Sequence, residues 1–217
     1  EEAMKLLDLF SGAGGAAMGY SRAGFTEIVG VDKDPKMLIH YPFEKVCADA
    51  FVYLAEHGRD FDAIHASPPC QAYSEAGKQW RVAGKEYPDL IAPTRDALIA
   101  LGRPWVIENV PGAPLLNPTI LNGALFGLRV RRTRWFETSF PMPLVLRPRE
   151  ERSTFRMGRP VKEGDIITPV GHFSNVPYAR RAMGIDWMNQ GELAQALPPA
   201  YTEYIGRALL AQLAVKR

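Results

Sequence analysis

An α/β fold with a doubly wound, mostly parallel sheet is predicted by three observations. Short apolar runs alternate with helix-like segments through the first half of the chain. Those runs are apolar almost throughout, as strands are when helices cover both faces. A glycine-rich turn follows the first of them directly.

The elements follow in order. "KLLDLF" (5–10) reads as a strand, "SGAGG" as the turn, and "AAMGYSRAG" (16–24) as a helix. "EIVGVD" (27–32) is the second strand, followed by a short helix over "PKMLIHYP" (35–42). "KVCAD" (45–49) is the third strand and "AFVYLAEHG" (50–58) the next helix. "FDAIHA" (61–66) is the fourth strand, "DLIAPTRDALIALG" (89–102) a helix with Pro93 near its first turn, and "PWVIENV" (104–110) the fifth strand. After Val110 the chain turns to proline, glycine and asparagine, and "RRTRWFET" (131–138) then gives a strand carrying alternating arginines. Residues 139–177 are rich in proline and arginine, with weak periodicity, and read as a small loop-and-strand insert. "PPAYTEYIGRALLAQLAVK" (198–216) has prolines at its start and apolar residues at helical spacing. The expected organisation is a catalytic and cofactor-binding domain over 1–138, the insert over 139–177, and a C-terminal segment, 178–217, that returns to the first domain.

The 217 residues, 47% hydrophobic and 23% charged, suit one globular domain with a small appendage. No apolar run approaches the roughly 18 residues of a membrane span, and no secretory pattern opens the chain. Two cysteines make no disulfide framework, there is no Cys-x-x-Cys, and the four histidines show no metal-ligand spacing. A reducing, cytoplasmic setting without a metal is expected. The net charge of +2 is unevenly spread: between Arg129 and Arg159 nine arginines face three glutamates, so the rest of the chain is net negative. Such a block fits either a polyanion partner or a solvated arginine-rich loop.

Four stretches could carry chemistry. At Asp8–Gly15 a strand ends in an acidic residue and Gly12, Gly14 and Gly15 follow, which lets a ligand approach the backbone; a tight turn packed on glycines is the alternative. Asp32 ends the second strand, where a carboxylate can bind two ribose hydroxyls, and Asp49 follows the third, placed to accept from an adenine amino group. Together they suggest a nucleoside-containing cofactor. Ser67-Pro68-Pro69 ends the fourth strand and presents Cys70. An exocyclic amine needs no covalent help, but a ring carbon does, and a thiol can add to an electron-poor ring. Most lone cysteines are buried and inert, which is expected of Cys47; polar Gln71 and Ser74 favour exposure of Cys70. Glu108 ends an apolar strand, where burial would raise its pKa; pairing with an arginine is the other reading. Asn109 could hold the turn through the backbone. Arg132 and Arg134, at period two, would share a strand face, and a guanidinium can bind a base carbonyl.

These residues resemble the DNA cytosine-5 methyltransferases. "DLFSGAGG" is similar to that family's cofactor motif, "SPPCQAYS" to its Pro-Cys motif, "ENV" to its acid motif and "RRTR" to its Arg-x-Arg motif, in the family's order. The resemblance covers residues 5–138 and resumes weakly at "ARRAMGID" and the final helix. It implies a Rossmann-like S-adenosylmethionine-dependent methyltransferase that acts as a monomer on double-stranded DNA, with residues 139–177 as a target-recognition insert. Cys70 would add to C6 of a flipped-out cytosine, Glu108 would hold N3 and the amino group, Arg134 would hold O2, and Arg132 would support it or a phosphate. Phe10, Ser11, Gly12, Gly14, Asp32 and Asp49 would bind the cofactor, with Asp8, Gly15, Lys33, Ala50, Pro68, Gln195 and Ala196 beside it. Residues 74–87 resemble the loop that closes over the substrate. Three positions depart from the pattern: Val130 stands for the usual Gln, Lys33 for an apolar or aromatic residue, and Ala194-Gln195-Ala196 for Gly-Asn-small. So short an insert implies a target of about two to four base pairs, because each bidentate base contact contributes only about 1–3 kcal/mol. A compact enzyme of this kind suits a phage. The same chemistry on RNA or with a modified sulfonium donor, or a silent DNA-binding module, are the alternatives.

Overall fold

The computed structural model describes residues 3–74, 82–84, 86–145, 152–155 and 159–215. Its elements are β1 (Lys5–Leu9), α1 (Gly15–Ala23), β2 (Glu27–Asp32), β3 (Glu44–Cys47), α2 (Ala50–His57), β4 (Ala63–Ala66), α3 (Ile91–Leu101), β5 (Trp105–Asn109), β6 (Thr119–Leu121), β7 (Arg134–Thr138), α4 (Val176–Met183), α5 (Gln190–Gln195) and α6 (Pro199–Val215). One sheet runs in the order β3-β2-β1-β4-β5-β7-β6. β1 to β5 are parallel, and β7 runs antiparallel to both β5 and β6. The strand order reverses between β1 and β4, so a crevice opens beyond their carboxyl ends.

The unbroken apolar strands are explained by two cores. Leu6, Ile28, Ala63 and Val106 face one layer, with Tyr20, Tyr201 and Ile205. Their chain neighbours Leu7, Val29, Ile64 and Ile107 face the other, with Leu54, Ile91 and Leu98. Successive strand residues point to opposite faces, so both must be apolar. On the first layer α1 lies directly against α6. A Cβ built on Gly19 would fall 2.0 Å from Thr202 Oγ1, and one on Gly206 would fall 2.7 Å from Ala23 Cβ. Glycine is what lets the two helix backbones approach so closely.

Four local expectations are corrected. Residues 35–40 form turns rather than a helix. Asp34 Oδ1 accepts from Lys36 N, and the segment instead delivers the Tyr41 ring onto Gly30, whose Cβ would lie 2.2 Å from Cζ. The strand expected over 131–138 starts only at Arg134. β3 is an edge strand whose residues are mostly solvent-facing, so Cys47 is exposed, not buried. Cys70, expected to be the exposed one, is half-buried.

A third cluster gathers Ala13, Val130, Ile167, Tyr178, Met183 and Leu193. It is stitched by the Val130–Ile167 bridge and by Arg131 N donating to Ile167 O at 2.8 Å. Arg159 clasps Asp165 at 2.8 Å, and together with the Lys162 N–H and Thr154 it holds that carboxyl well below the usual carboxylate range.

Candidate active site

β4 stops where its sequence removes the means to continue. Ser67 N still donates to Leu9 O at 3.1 Å, but Pro68 and Pro69 have no N–H to add to the ladder. Asn109 Nδ2 donates to Pro68 O at 2.9 Å, the backbone tie expected of it. The N–H groups of Tyr73 and Ser74 both donate to Cys70 O at 2.9 Å and close a turn behind the cysteine. Burial pushes the Cys70 thiol up, and nearby Glu108 adds to this; Arg134 and a bond with Ser74 oppose it.

Glu108, 8% exposed, stands beside this turn at the end of β5. Burial raises its pKa, while Arg134, Ser67 and Arg132 pull the other way. Arg134, the first residue of β7, reaches it with Nε 3.1 Å from Oε1. Both readings of Glu108 therefore hold, since the carboxyl is desolvated and also paired. Arg132 does something else. It is 4% exposed, and its two terminal nitrogens donate to Pro169 O and Ala194 O at 2.9 Å each. Tyr201 donates to its carbonyl at 2.6 Å. Burial, then Arg134, lowers its pKa to about 9. Arg132 thus ties the approach to β7 to Pro169 and to the last segment.

The glycine turn closes the same edge of the sheet. Phe10 takes a left-handed φ of 56° and meets Phe51 edge-on at 6.1 Å. Gly12 has φ 51°, and a Cβ there would meet only Met37 Cε, at 3.8 Å, so this face is open. Gly12 N donates to Asp32 Oδ2 at 3.1 Å and Asp34 N to Asp32 Oδ1 at 2.9 Å. Gly14 caps α1 in the left-handed region, and its Cβ would strike Pro42 at 2.6 Å. Gly15 is small for the chain's own sake, since a Cβ would lie 2.4 Å from Leu197 O. That contact brings Gln195 and Ala196 alongside the turn. Asp8 Oδ1 and Ser11 Oγ are buried without a partner. Burial pushes the Asp8 carboxyl well above the carboxylate range, against the Tyr41 hydroxyl that donates to Oδ2 at 3.1 Å. Asp49 caps α2, its Oδ1 accepting from Phe51 N and Val52 N. Ala50 and Pro68 are buried and Lys33 is exposed.

A family model described as C-5 cytosine-specific DNA methylase matches residues 4–113. The chain belongs to this family. Among its relatives, the Type II methyltransferase M1.HphI of Haemophilus parahaemolyticus is 30% identical over 117 residues, 48% of this chain and 32% of that one. The Type II methyltransferase M.HgiGI of Herpetosiphon aurantiacus is 31% identical over 121 residues, 52% of this chain and 94% of that one. Of the first curated relatives it matches, the chain spans between 23% and 49% of the length. The structure of the Entamoeba histolytica methyltransferase EhMeth superposes with a TM-score of 0.63 at 13% identity, covering 98% of this chain and 99% of that one, and shares the fold.

In this member of the C-5 cytosine-specific methylases, Cys70, Glu108 and Arg134 meet at one edge of the sheet, and Arg132 stands behind them. Residues 75–81 and 85 of the expected closing loop lie outside the described residues. Sequence reasoning missed three side chains that shape the site. Tyr41 holds Asp8, Trp187 Nε1 donates to Ala13 O at 2.9 Å, and His65 lies beneath the cysteine turn. Of these, His65 sits nearest a motif expected to carry chemistry, two residues before Ser67.

Proposed function

We propose that this chain transfers a methyl group to C5 of cytosine in double-stranded DNA through a covalent bond between Cys70 and C6. The meeting of Cys70, Glu108 and Arg134 beside an open glycine turn carries this reading. S-adenosylmethionine would fit the turn and would supply an electrophilic methyl group there. Gly12 leaves its face clear, Asp32 keeps a lone pair on each oxygen for ribose hydroxyls, and Asp49 has a second oxygen for the adenine amine. The orphaned Asp8 Oδ1 and Ser11 Oγ are polar atoms in want of a partner at the same place.

A cytosine stacked in a duplex hides C5 and C6, so the base must turn out into the site. Once its proton has passed to solvent water, the Cys70 sulfur adds to C6 and the C5–C6 π electrons shift toward C5. Glu108, in its protonated form, donates to N3, offsets the charge that develops on the ring and keeps or recovers that proton when the sulfur leaves. Arg134 holds O2. After C5 gains its methyl, a base, water in our reading, removes the C5 proton; the freed pair re-forms C5=C6 and expels the sulfur. Residues 139–177 would follow the DNA. Of the arginines there and just before, Arg129, Arg131 and Arg152 are exposed, whereas Arg159 is held by Asp165 and Arg132 is enclosed. An insert spanning only residues 139–177 offers few side chains to read base edges, so a target of about two to four base pairs is expected.

The test incubates the chain with duplex DNA and S-adenosylmethionine and analyses the nucleosides by mass spectrometry, with bisulfite mapping of the product. 5-Methyldeoxycytidine in a short context is the expected result. Methylation confined to RNA, or a long interrupted palindrome, would overturn the substrate or the target.

A further inference from the structure

Beneath the cysteine turn lies a chain of polar groups that the proposed chemistry does not use. His65, on β4, is wholly buried. Its Nδ1 is 2.9 Å from the hydroxyl of Tyr20 on α1, itself wholly buried. Its Nε2 is 2.9 Å from Ser67 Oγ. Ser67 in turn faces the Glu108 carboxyl and opposes the rise in its pKa. We propose that Tyr20 and His65 are positioning residues for Glu108: they fix the direction of a relay in which Ser67 gives its proton to the carboxyl group. The inference rests on the reading above of Glu108 as the group that faces the base.

The direction follows from counting protons. A neutral imidazole has one N–H and one bare nitrogen. Burial lowers the His65 pKa to about 3, so the ring is neutral at any working pH. The groups around the relay are Asp8, the strand partner of His65 on β1, with Cys70, Arg132 and Arg134 around Glu108. The Tyr20 hydroxyl is enclosed by the apolar layer and finds Nδ1 as its acceptor, so Nδ1 is bare and Nε2 carries the proton. Nε2–H then donates to Ser67 Oγ, and the serine's own proton is left for Glu108. Run the other way, the relay would strand the tyrosine proton in that apolar layer. With Ser67 on one side and Arg134 on the other, the carboxyl cannot rotate freely. A carboxyl free to turn would lose its alignment with N3 without losing its place in the fold.

The experiment labels the four histidines with 15N and identifies His65 by the signals lost in His65→Phe. The Nε2–H tautomer, unprotonated down to about pH 5, is expected. In Tyr20→Phe, which deletes one oxygen, the Nδ1 resonance should move and kcat should fall roughly tenfold, a fraction of what a positioned acid contributes. KM for S-adenosylmethionine should stay within about twofold of its starting value. His65→Gln, whose amide can still donate to Ser67, should recover part of the rate lost in His65→Phe. An Nδ1–H tautomer overturns the inference, as does a Tyr20→Phe enzyme with the parent kcat. The tautomer is read without turnover. A parent chain that methylates nothing would therefore sink the functional reading and leave the direction of the relay decided separately.

Discussion

At the scale of single residues, the two cysteines exchange the environments their sequence neighbours suggest. Cys47 is exposed because β3 is the edge of the sheet, and Cys70 is half-buried on the turn after β4, near Glu108 and Arg134. Burial also keeps the Cys70 thiol protonated to a higher pH than a free one. Limited alkylation near pH 7 with peptide mapping should therefore modify Cys47 before Cys70; the reverse order would mean a thiolate already formed at Cys70. Glu108 makes its proposed contribution as charge builds on the ring, not when the base binds. Glu108→Gln should lower kcat by roughly a hundredfold or more while changing KM for DNA little, as steady-state kinetics would show. Cys70, Glu108 and Arg134 were legible because each lies in a short local motif. Tyr41, His65 and Trp187 were not, because their partners Asp8, Tyr20 and Ala13 lie 33, 45 and 174 residues away in the chain. Arg132 looked like the twin of Arg134 by spacing, and only its contacts to Pro169 and Ala194 set it apart.

At the scale of elements, the glycines of the first turn, α1 and α6 show how one residue type can serve two ends. Gly12 keeps a face clear, whereas Gly15, Gly19 and Gly206 are small because another part of the chain lies against them. The glycine-rich turn was legible from its pattern; which glycine faces a ligand and which faces Leu197 was not, since that depends on where the last segment docks. Gly19→Ala would force its Cβ against Thr202 and Pro199 O, only 2.2 Å away, and should cost about 1–3 kcal/mol as an overpacked contact. Urea denaturation would show a lower midpoint at an unchanged slope. The strands were read well because an apolar run covered on both faces has few other fates. The helix expected over 35–42 failed because Tyr41 is needed between Gly14, Gly30 and Asp8, and a turn, not a helix, puts it there.

At the scale of the whole molecule, the parallel order of β1 to β5 brings the ends of β1, β4 and β5 to one rim, and β7 adds Arg134 from the opposite direction. Alternating strands and helices made that architecture legible. The antiparallel β6 and β7, and the way Arg132 and Leu197 tie the late segments to the early ones, depend on long-range docking with no local signature. The central claim is a transient bond from the Cys70 sulfur to a pyrimidine ring. It is tested most directly with duplex DNA carrying 5-fluorocytosine at the mapped site, where fluorine blocks the loss of a proton from C5 and so holds the sulfur on the ring. With S-adenosylmethionine present, a denaturation-resistant protein–DNA adduct should form and should vanish in Cys70→Ser. An enzyme that methylates ordinary DNA yet forms no such adduct, or one that still forms it without Cys70, would contradict the account.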